Sequence, residues 1–295
     1  MSVLAAIGTA ALLRSVRGSV HVIGCPAEET IGGKAVLARK GVFSDIDAAM
    51  MIHPADRTEI VKLSLSMERA RIVFRGVAAH ASATPWKGRN ALEALISLMQ
   101  SIDAGRATMP DGDRIDGVIR RGGDAANIVP DLAEAEFFLR SRHMESHRRL
   151  VRRFRAMVRG AAKAFGVDYG IERIGNVYYP LIPSRALARL FAAQVRKRGI
   201  RINSLITDGE MGSSDIGNVS SVVPTIHPAL AITDGPCPAH SEAFRQCGGT
   251  EKAYRSVKTG AELLASTAAE LYRGHRLLSD LKSNSIFNIV DNRSL

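Results

Sequence analysis

Two adjacent carboxylates, Glu28 and Glu29, lie in the segment GCPAEETIGG between a proline and a pair of glycines. A carboxylate can take a proton from water or bind a metal ion, and neighbouring side chains on a turn point in different directions. One of the two could therefore hold a metal while the other handles protons. A solvated turn is the alternative, because charged side chains are mostly exposed.

Two of the eight histidines, His53 and His240, lie where apolar runs give way to proline-containing loops, MMIHP and GPCPAHSEAF. Imidazole nitrogens and carboxylate oxygens are ligands that zinc takes, so Glu29, His53 and His240 are candidate metal ligands. Glu28, beside a metal-bound water, could then serve as general base. A lone histidine in such a loop is more often structural, and the sequence contains neither an HExxH helix nor paired cysteines.

Strands are predicted just before the GCPAEETIGG segment and in the apolar run that leads to His53. Residues Ser19 to Gly24 alternate and are rich in β-branched side chains, which predicts a strand that ends before the carboxylates. A buried helix is predicted over the apolar residues that precede it. The short apolar run Ala48 to Ile52 predicts a second strand, stopped by His53 and Pro54. Active-site groups of α/β proteins gather at such strand ends.

Residues 58–175 have the pattern β-α-β-β-α-β, which is the order of a ferredoxin-like unit. Its second helix is basic and amphipathic, and it is predicted to turn six apolar side chains inward, namely Leu150, Val151, Phe154, Met157, Val158 and Phe165. Helices at 184–198 and 250–272 resume the α/β pattern. We therefore predict an α/β domain from residues 1–57 and 176–278, with the ferredoxin-like unit inserted as a lid, and a loosely held tail over 279–295.

Composition restricts the class of protein and its partners. The chain has 295 residues, a net charge of +11, 5% aromatic residues and three cysteines. The positive charge admits anionic partners, but no RNA- or DNA-binding signature accompanies it, so we expect no nucleic-acid partner. The amino-terminal apolar run is too short to span a bilayer, which takes about 20 residues, and we expect no membrane partner. The number of cysteines is odd and none of them forms a CxxC motif, so a disulfide framework is not expected and a reducing cytoplasm is the simpler location.

The run CPAEETIGGKAVLARKGVFSDIDAAMMIHP closely resembles the zinc aminoacylase and carboxypeptidase family, which includes acetylornithine deacetylase and succinyl-diaminopimelate desuccinylase. The segments GVAAHASATPWKGRNALEALI, GGDAANIVPDLAEAEFFLRS, GSSDIGNVSSVVPTIHP and PAHSEAF resemble its amidohydrolase branch of aminobenzoyl-glutamate hydrolases and β-alanyl dipeptide hydrolases. The similarity covers most of residues 1–275. It implies a metal-dependent hydrolase that cleaves an N-acyl or aminoacyl amide bond to an amino acid, with one or two zinc ions, or manganese or cobalt.

The resemblance also implies roles for individual residues. Glu28 would be the general base, and Glu29, His53 and His240 would be metal ligands. His80, in AAHAS, resembles the lid histidine that stabilises the tetrahedral oxyanion, often in the neighbouring subunit's active site. The lid is accordingly expected to form a homodimer.

Four further positions match the part of the family site that holds the substrate. Asn127 and Arg140 correspond to lid residues that bind its free carboxylate, and a guanidinium suits this because its planar fork grips both oxygens. Gly212 and Ser213 begin the substrate loop GSSD. Asn127 could instead cap a turn, and Arg140 could instead pair on its strand.

The sequence departs from the family pattern at its amino terminus. Family members begin with a segment that carries further metal ligands, in a Cys-x-His and a Gly-His-Asn or Gly-His-Asp element, and Met1 falls about where the helix after that element would start. Three expectations follow: a truncated gene product, an enzyme completed by a separate polypeptide, or an inactive copy. The alternative to an enzyme is therefore a non-catalytic binding or dimerisation remnant.

Overall fold

A computed structural model describes residues 1–12, 18–207, 211–274 and 281. The predicted tail 279–295 lies outside these ranges except at Leu281. The helices are α1 (Ser2–Leu12), α2 (Gly33–Arg39), α3 (Ala91–Arg106), α4 (Met144–Phe165), α5 (Arg185–Lys197), α6 (Ile216–Ser220), α7 (Glu242–Cys247) and α8 (Glu251–Arg273). The strands are β1 (Ala49–Met50), β2 (His53–Ala55), β3 (Glu59–Lys62), β4 (Ser66–Arg75), β5 (Arg114–Arg121), β6 (Leu132–Ser141), β7 (Asp168–Tyr178), β8 (Ser204–Thr207), β9 (Thr225–Ile226) and β10 (Ala229–Ala231).

The two ends of the chain build a mixed sheet and a short parallel pair. The mixed sheet has the strand order β2-β10-β3-β8, and β1 pairs with β9 beside it. Apolar side chains of α5 and α8 cover this sheet, with Phe191, Leu187 and Leu263 at most 1% exposed. Helix α1 packs on α8 through its small residues, so it is buried along one face only, and Val3 and Ile7 remain exposed.

The middle of the chain builds a separate antiparallel sheet. Its elements follow the predicted order β-α-β-β-α-β, and its strands lie in the order β5-β6-β4-β7. Helices α3 and α4 cover one face, where the rings of Phe137 and Phe154 meet edge to face with their centroids 5.1 Å apart. The six apolar side chains predicted for α4 all contribute to this core. Among the described helices, none has the length and apolar composition needed to cross a bilayer.

One strand prediction is wrong, and a second is confirmed only in part, because β1 (Ala49–Met50) lies within the predicted run Ala48 to Ile52 but the chain forms a further strand just after it. Ser19 to Gly24 forms no strand and is largely exposed, because among the residues that the structure describes no segment pairs with its backbone in register. The strand predicted to stop at His53 instead restarts there, since β2 runs from His53 to Ala55 and pairs in parallel with β10. Pro54 is tolerated because β2 is the edge strand of its sheet. The predicted helices at 184–198 and 250–272 are confirmed as α5 and α8.

Candidate active site

Glu28 and Glu29 lie in a tight turn immediately before α2. The carbonyl oxygen of Ala27 accepts hydrogen bonds from three successive amides, those of Thr30, Ile31 and Gly32. Ala27 itself has a φ of 61°, a left-handed conformation that is unfavourable for an alanine. Such strain persists only where the surroundings enforce it, and it occurs often at functional sites.

The end of β7 holds this turn from outside. The hydroxyl of Tyr178 donates to the backbone oxygen of Glu28. Two nitrogens of Asn176, the backbone amide and Nδ2, donate to the oxygen of Ile31 at 3.2 and 2.7 Å. Strand β7 is also where the chain returns from the inserted unit. The position of the carboxylates is therefore tied to the base of that unit.

A buried ion pair closes the other side of the turn. Asp215 accepts from the backbone amide and from Nζ of Lys34, each at 2.7 Å, and the Asp215 and Lys34 side chains are 0% and 5% exposed. Asp215 is the residue that precedes α6, and Lys34 lies in the first turn of α2. The contact fixes the GSSD loop against the acidic turn.

The pKa values of Tyr178 and Cys25 are both raised in this region. Burial raises the pKa of Tyr178 to about 12, and the nearby carboxylates of Asp215, Glu28 and Glu29 act in the same direction. Burial also raises the pKa of the Cys25 thiol, which lies near Lys34 and Asp215. Both predicted glutamates, Asp215 and the phenol of Tyr178 thus share one electrostatic environment.

The imidazole of His53 is oriented by the backbone. Its Nδ1 lies 2.7 Å from the oxygen of Pro54, so we assign the proton to Nδ1, which leaves the lone pair on Nε2. A backbone carbonyl on the other ring nitrogen is typical of metal-binding histidines. The ring of His227 lies edge to face beside it, with the centroids 5.6 Å apart.

His227 is a second imidazole in the same place, and it was not predicted as a site residue. Its ring is partly covered, and its Nε2 is buried without a hydrogen-bond partner. Burial lowers the pKa of His227 to about 3, and electrostatic interactions with His53, Lys34 and Lys62 act in the same direction. The His227 ring is therefore neutral.

His240 lies in the exposed loop that precedes α7. His240 has a φ of 62°. In the described ranges, Ala27 and His240 are the two non-glycine residues with a positive φ. The loop is anchored to the end of β2, because the amide of Cys237 donates to Oδ2 of Asp56 at 3.0 Å. Both strained residues therefore belong to predicted site motifs.

The predicted ligands do not form a closed metal site as they are placed. Over the residues that the structure describes, no three His, Cys, Asp or Glu side chains lie close enough together to hold an ion. His53 has the backbone contact that is typical of a metal-binding histidine. The assignment of Glu29, His53 and His240 as ligands stays a prediction.

His80 and Asn127 lie together on the inserted unit. The amide of Ala81 donates to the backbone oxygen of Asn127 at 2.9 Å, and His80 forms a β-bridge with Ile128. The amides of Ser82 and Ala83 lie 3.4 and 3.3 Å from Nδ1 of His80 and donate to it. We therefore assign the His80 proton to Nε2. The ring can donate that hydrogen to an oxyanion.

Arg140 is already engaged on the sheet of the inserted unit. Its Nη1 donates to Oδ2 of Asp116 at 2.6 Å, and its guanidinium stacks on Phe138 at 4.8 Å from the ring centroid. The side chain is 27% exposed, so part of its fork still faces solvent. The alternative in which Arg140 pairs on its strand is thus present in the structure.

The substrate loop contains an unpaired hydroxyl. Ser213 Oγ is buried and has no hydrogen-bond partner, whereas the backbone oxygen of its neighbour Gly212 accepts from the amide of Leu65 at 2.8 Å. An unsatisfied buried hydroxyl is costly, so it marks a place where a ligand or water could bind.

Four residues that contribute to the site were missed by the sequence reasoning, namely Lys34, Asn176, Tyr178 and His227. Only His227 carried a signal. The tripeptide IHP followed by alanine occurs twice, at 52–55 and at 226–229, each time after an apolar run.

A cavity of about 690 Å³ lies elsewhere on the surface and contains none of the predicted site residues. Residues of both charge signs line it, including Arg57, Glu59 and Arg201.

Known proteins are similar to this chain in sequence and in fold. Residues 66–165 match the peptidase dimerisation domain of M20 proteins. The chain is 32% identical over 289 residues to the Xaa-Arg dipeptidase of Mus musculus, covering 96% of this chain and 67% of that protein. It is 31% identical over 325 residues to one of the p-aminobenzoyl-glutamate hydrolase subunits of Escherichia coli, covering 89% of this chain and 66% of that protein.

Solved structures share the fold. A dinuclear metal-binding peptidase of the M20 family from Bacillus subtilis superposes with a TM-score of 0.64 at 17% identity, over 91% of this chain and 71% of that one. The aminobenzoyl-glutamate utilization protein of Klebsiella pneumoniae superposes with a TM-score of 0.66 at 21% identity, over 91% of this chain and 66% of that one. The chain thus spans about two thirds of the length of its relatives.

Proposed function

The chain belongs to the M20 family of peptidases, a family of hydrolytic enzymes, and from this premise we propose that it hydrolyses an amide bond between an acyl or aminoacyl group and an amino acid. Two relatives, a dipeptidase and an aminobenzoyl-glutamate hydrolase, support this substrate class by their names. The structural observation that carries the proposal is the acidic turn, whose backbone is held by Tyr178, Asn176 and the Lys34–Asp215 pair.

Glu28 is the proposed general base. Its side chain lies in a turn that is fixed from two sides, so it can meet a water molecule without first being ordered. Glu28 takes a proton from the attacking water and delivers it to the leaving amine. His80 donates a hydrogen bond from Nε2–H to the oxyanion that forms at the former carbonyl oxygen.

Four residues are proposed to hold the substrate. Arg140 and Asn127 bind its free carboxylate, and for Arg140 this uses donors of the guanidinium other than the one that Asp116 engages. The unpaired hydroxyl of Ser213, beside Gly212, offers a further polar contact.

Glu29, His53 and His240 are the proposed metal donors, for zinc or alternatively for manganese or cobalt. The donor types suit these ions, and the backbone contact of His53 supports its part. A zinc titration of the purified chain by calorimetry tests the set, with Glu29→Gln, His53→Asn and His240→Asn as variants. Binding that none of the three substitutions weakens would remove these residues from the metal site.

The predicted range 58–175, apart from β3, which pairs in the mixed sheet, is the proposed ferredoxin-like lid, and it is also the proposed homodimer contact. Its match to a dimerisation domain and its open edge strand β5 support this. Residues 1–57 and 176–278 are the proposed catalytic domain. We propose a cytoplasmic location from the three free cysteines.

Turnover by the full chain tests the proposal. Purified protein with added zinc, manganese or cobalt is assayed on dipeptides with a carboxy-terminal arginine and on p-aminobenzoyl-glutamate. Glu28→Gln is expected to abolish turnover by removing the base. Glu251→Gln, which changes a carboxylate whose side chain is 78% exposed on α8, is the matched control and should leave turnover unchanged. Equal turnover in Glu28→Gln and the unmodified chain would exclude Glu28 as the base.

A non-catalytic binding or dimerisation protein is the alternative function. The observation that favours it is the lack of a three-residue metal cluster in the described part of the chain. Absence of both zinc binding and amide hydrolysis, together with a stable dimer, would support this alternative. Nucleic-acid binding through the arginines of α4 is distinguished by its steep dependence on salt.

A further inference from the structure

The cavity of about 690 Å³ lies at the edge of the mixed sheet, away from the candidate active site. It is bounded by the turn between β2 and β3, by the edge strand β8 and by the segment 234–236. Two hydrogen bonds tie the turn to the start of β8. The amide of Thr58 donates to Oδ1 of Asn203, and the amide of Asn203 donates to the oxygen of Thr58, both at 2.9 Å. The backbone around the cavity is therefore fixed by the fold.

Glu59 is a buried carboxylate that lines this cavity. It is the first residue of β3, it pairs in register with Ala229 of β10 and Ser204 of β8, and it is 3% exposed. The hydroxyl of Thr207 donates to its Oε1 at 2.8 Å. Among the residues that the structure describes, no lysine, arginine or histidine forms an ion pair with Glu59. Buried carboxylates are normally paired with a cation, so Glu59 favours a cationic group that enters the cavity.

Arg201 brings the opposite charge to the same cavity. It is exposed, and within the described ranges no carboxylate pairs with it. The neighbouring Arg57 differs, because its Nε donates to Oδ1 of Asp56 at 3.2 Å, and Oδ2 of Asp56 accepts from the amide of Cys237 at 3.0 Å. Asp56 and Arg57 are thus engaged within the protein, and Glu59 and Arg201 are the two charged groups that can bind a ligand.

An organic cation suits the cavity better than a metal ion does. Over the described part of the chain, no three His, Cys, Asp or Glu side chains lie close enough together to hold an ion. Calcium takes six to eight oxygen ligands, whereas an ammonium group donates hydrogen bonds and needs one charged acceptor. Arg201 adds a guanidinium, whose planar fork matches a carboxylate. The two residues together call for a small molecule that carries both an ammonium and a carboxylate.

We propose that this cavity is a binding site for a free amino acid, whose ammonium group donates to the carboxylate of Glu59 and whose carboxylate accepts from Arg201. The inference does not depend on the proposed hydrolytic activity, because neither residue belongs to the candidate active site. A ligand in the cavity would contact the segment 234–236, which leads through Cys237 to the loop of His240.

Binding of glycine and of L-lysine to the full chain tests the site. Glycine carries its ammonium next to the carboxylate, and lysine carries a second one at the end of its side chain, so the two probes cover a short and a long spacing. Saturable binding of at least one probe is expected by calorimetry, and its fully N-acetylated form should not bind. Glu59→Gln and Arg201→Gln should each weaken binding about tenfold or more, the loss of one charge-assisted hydrogen bond. Arg196→Gln, at an exposed arginine on α5 outside the cavity, should bind as the unmodified chain does.

The stability of the chain without ligand gives a second readout. Glu59→Gln removes a buried charge that has no ion-pair partner in the described residues, and it keeps an oxygen that can accept from Thr207. The midpoint of urea unfolding should therefore rise, whereas a carboxylate needed only for the fold would give a fall. A lower midpoint in Glu59→Gln, no saturable binding of either probe, or equal affinity in Glu59→Gln and the unmodified chain would each overturn the proposal. Binding that Glu28→Gln weakens and Glu59→Gln does not would place the amino acid in the candidate active site instead, and it would leave the proposed hydrolysis standing.

Discussion

Lys34 Nζ lies 2.7 Å from Oδ1 of Asp215, and both side chains are buried, although 181 positions separate the two residues in the chain. Removing one partner of a buried pair leaves the other charge without compensation, which costs about 3–5 kcal/mol. We expect Asp215→Asn to lower the free energy of unfolding in urea by about this amount.

The pair formed by Lys252 and Asp234 is the matched control for this prediction. It is also a lysine–aspartate pair, but the Asp234 side chain is 93% exposed. Exposed pairs contribute little, so Asp234→Asn should leave the unfolding midpoint nearly unchanged. Equal effects of the two substitutions would contradict the importance given to the buried pair.

Tyr178→Phe tests whether the base of the inserted unit positions the acidic turn. The substitution removes only the hydroxyl that donates to the backbone oxygen of Glu28. A turn that shifts by a fraction of an ångström misplaces the base, so kcat should fall about tenfold or more. KM should change little, because Tyr178 has no proposed contact with the substrate. Tyr254→Phe, on a ring that is 66% exposed, should leave both constants unchanged. A rise in KM with kcat unchanged would contradict a positioning role.

Glu68 makes the stability of the inserted unit depend on pH. His147 Nε2 lies 3.7 Å from this carboxylate and, with smaller contributions from Arg173 and Arg155, lowers the pKa of Glu68 from its usual value of 4.5 despite the opposing effect of burial. The unfolded chain therefore binds this proton first as the pH falls. Ionised Glu68 therefore stabilises the folded chain above pH 4.5, its usual pKa. This stabilisation is lost as the pH falls through the lowered pKa of Glu68 in the folded chain.

We expect Glu68→Gln to lower stability at neutral pH and to flatten the loss of stability below about pH 5. Urea unfolding at a series of pH values measures both effects. Glu145→Gln, at a carboxylate whose side chain is 82% exposed on α4, is the control and should follow the unmodified chain. If Glu68→Gln still lost stability as steeply as the unmodified chain when the pH falls, Glu68 would not be the source of the pH dependence.

Strand β5 is the predicted dimer contact. It is an edge of its sheet, and it exposes Val118 and Ile119 by 47% and 40%. An open apolar edge pairs readily with a second strand, and a charge on it opposes that pairing. We expect Ile119→Lys to shift the chain from dimer to monomer in analytical ultracentrifugation. Val222→Lys, on another exposed valine outside the inserted unit, should leave the dimer intact. A dimer that withstands Ile119→Lys would place the contact elsewhere.

Local pattern was sufficient to predict the elements whose apolar face is encoded in consecutive residues. The inward face of α4 and the order of elements from β4 to β7 follow from side-chain periodicity, which depends only on the geometry of a helix or strand. The same reasoning failed at Ser19 to Gly24, where β-branched alternation is present but the described part of the chain offers no partner strand.

The sequence by itself determined the family and the positions of the motifs, because their residue types and order survive without coordinates. Only the tertiary structure decided what surrounds them. It seated Lys34 against Asp215, Tyr178 against the backbone of Glu28, and His227 against His53. These contacts join residues distant in the chain, and they depend on which segments pack together. The periodicity of one segment predicts which of its faces is apolar, but it does not predict which other segment will pack on that face.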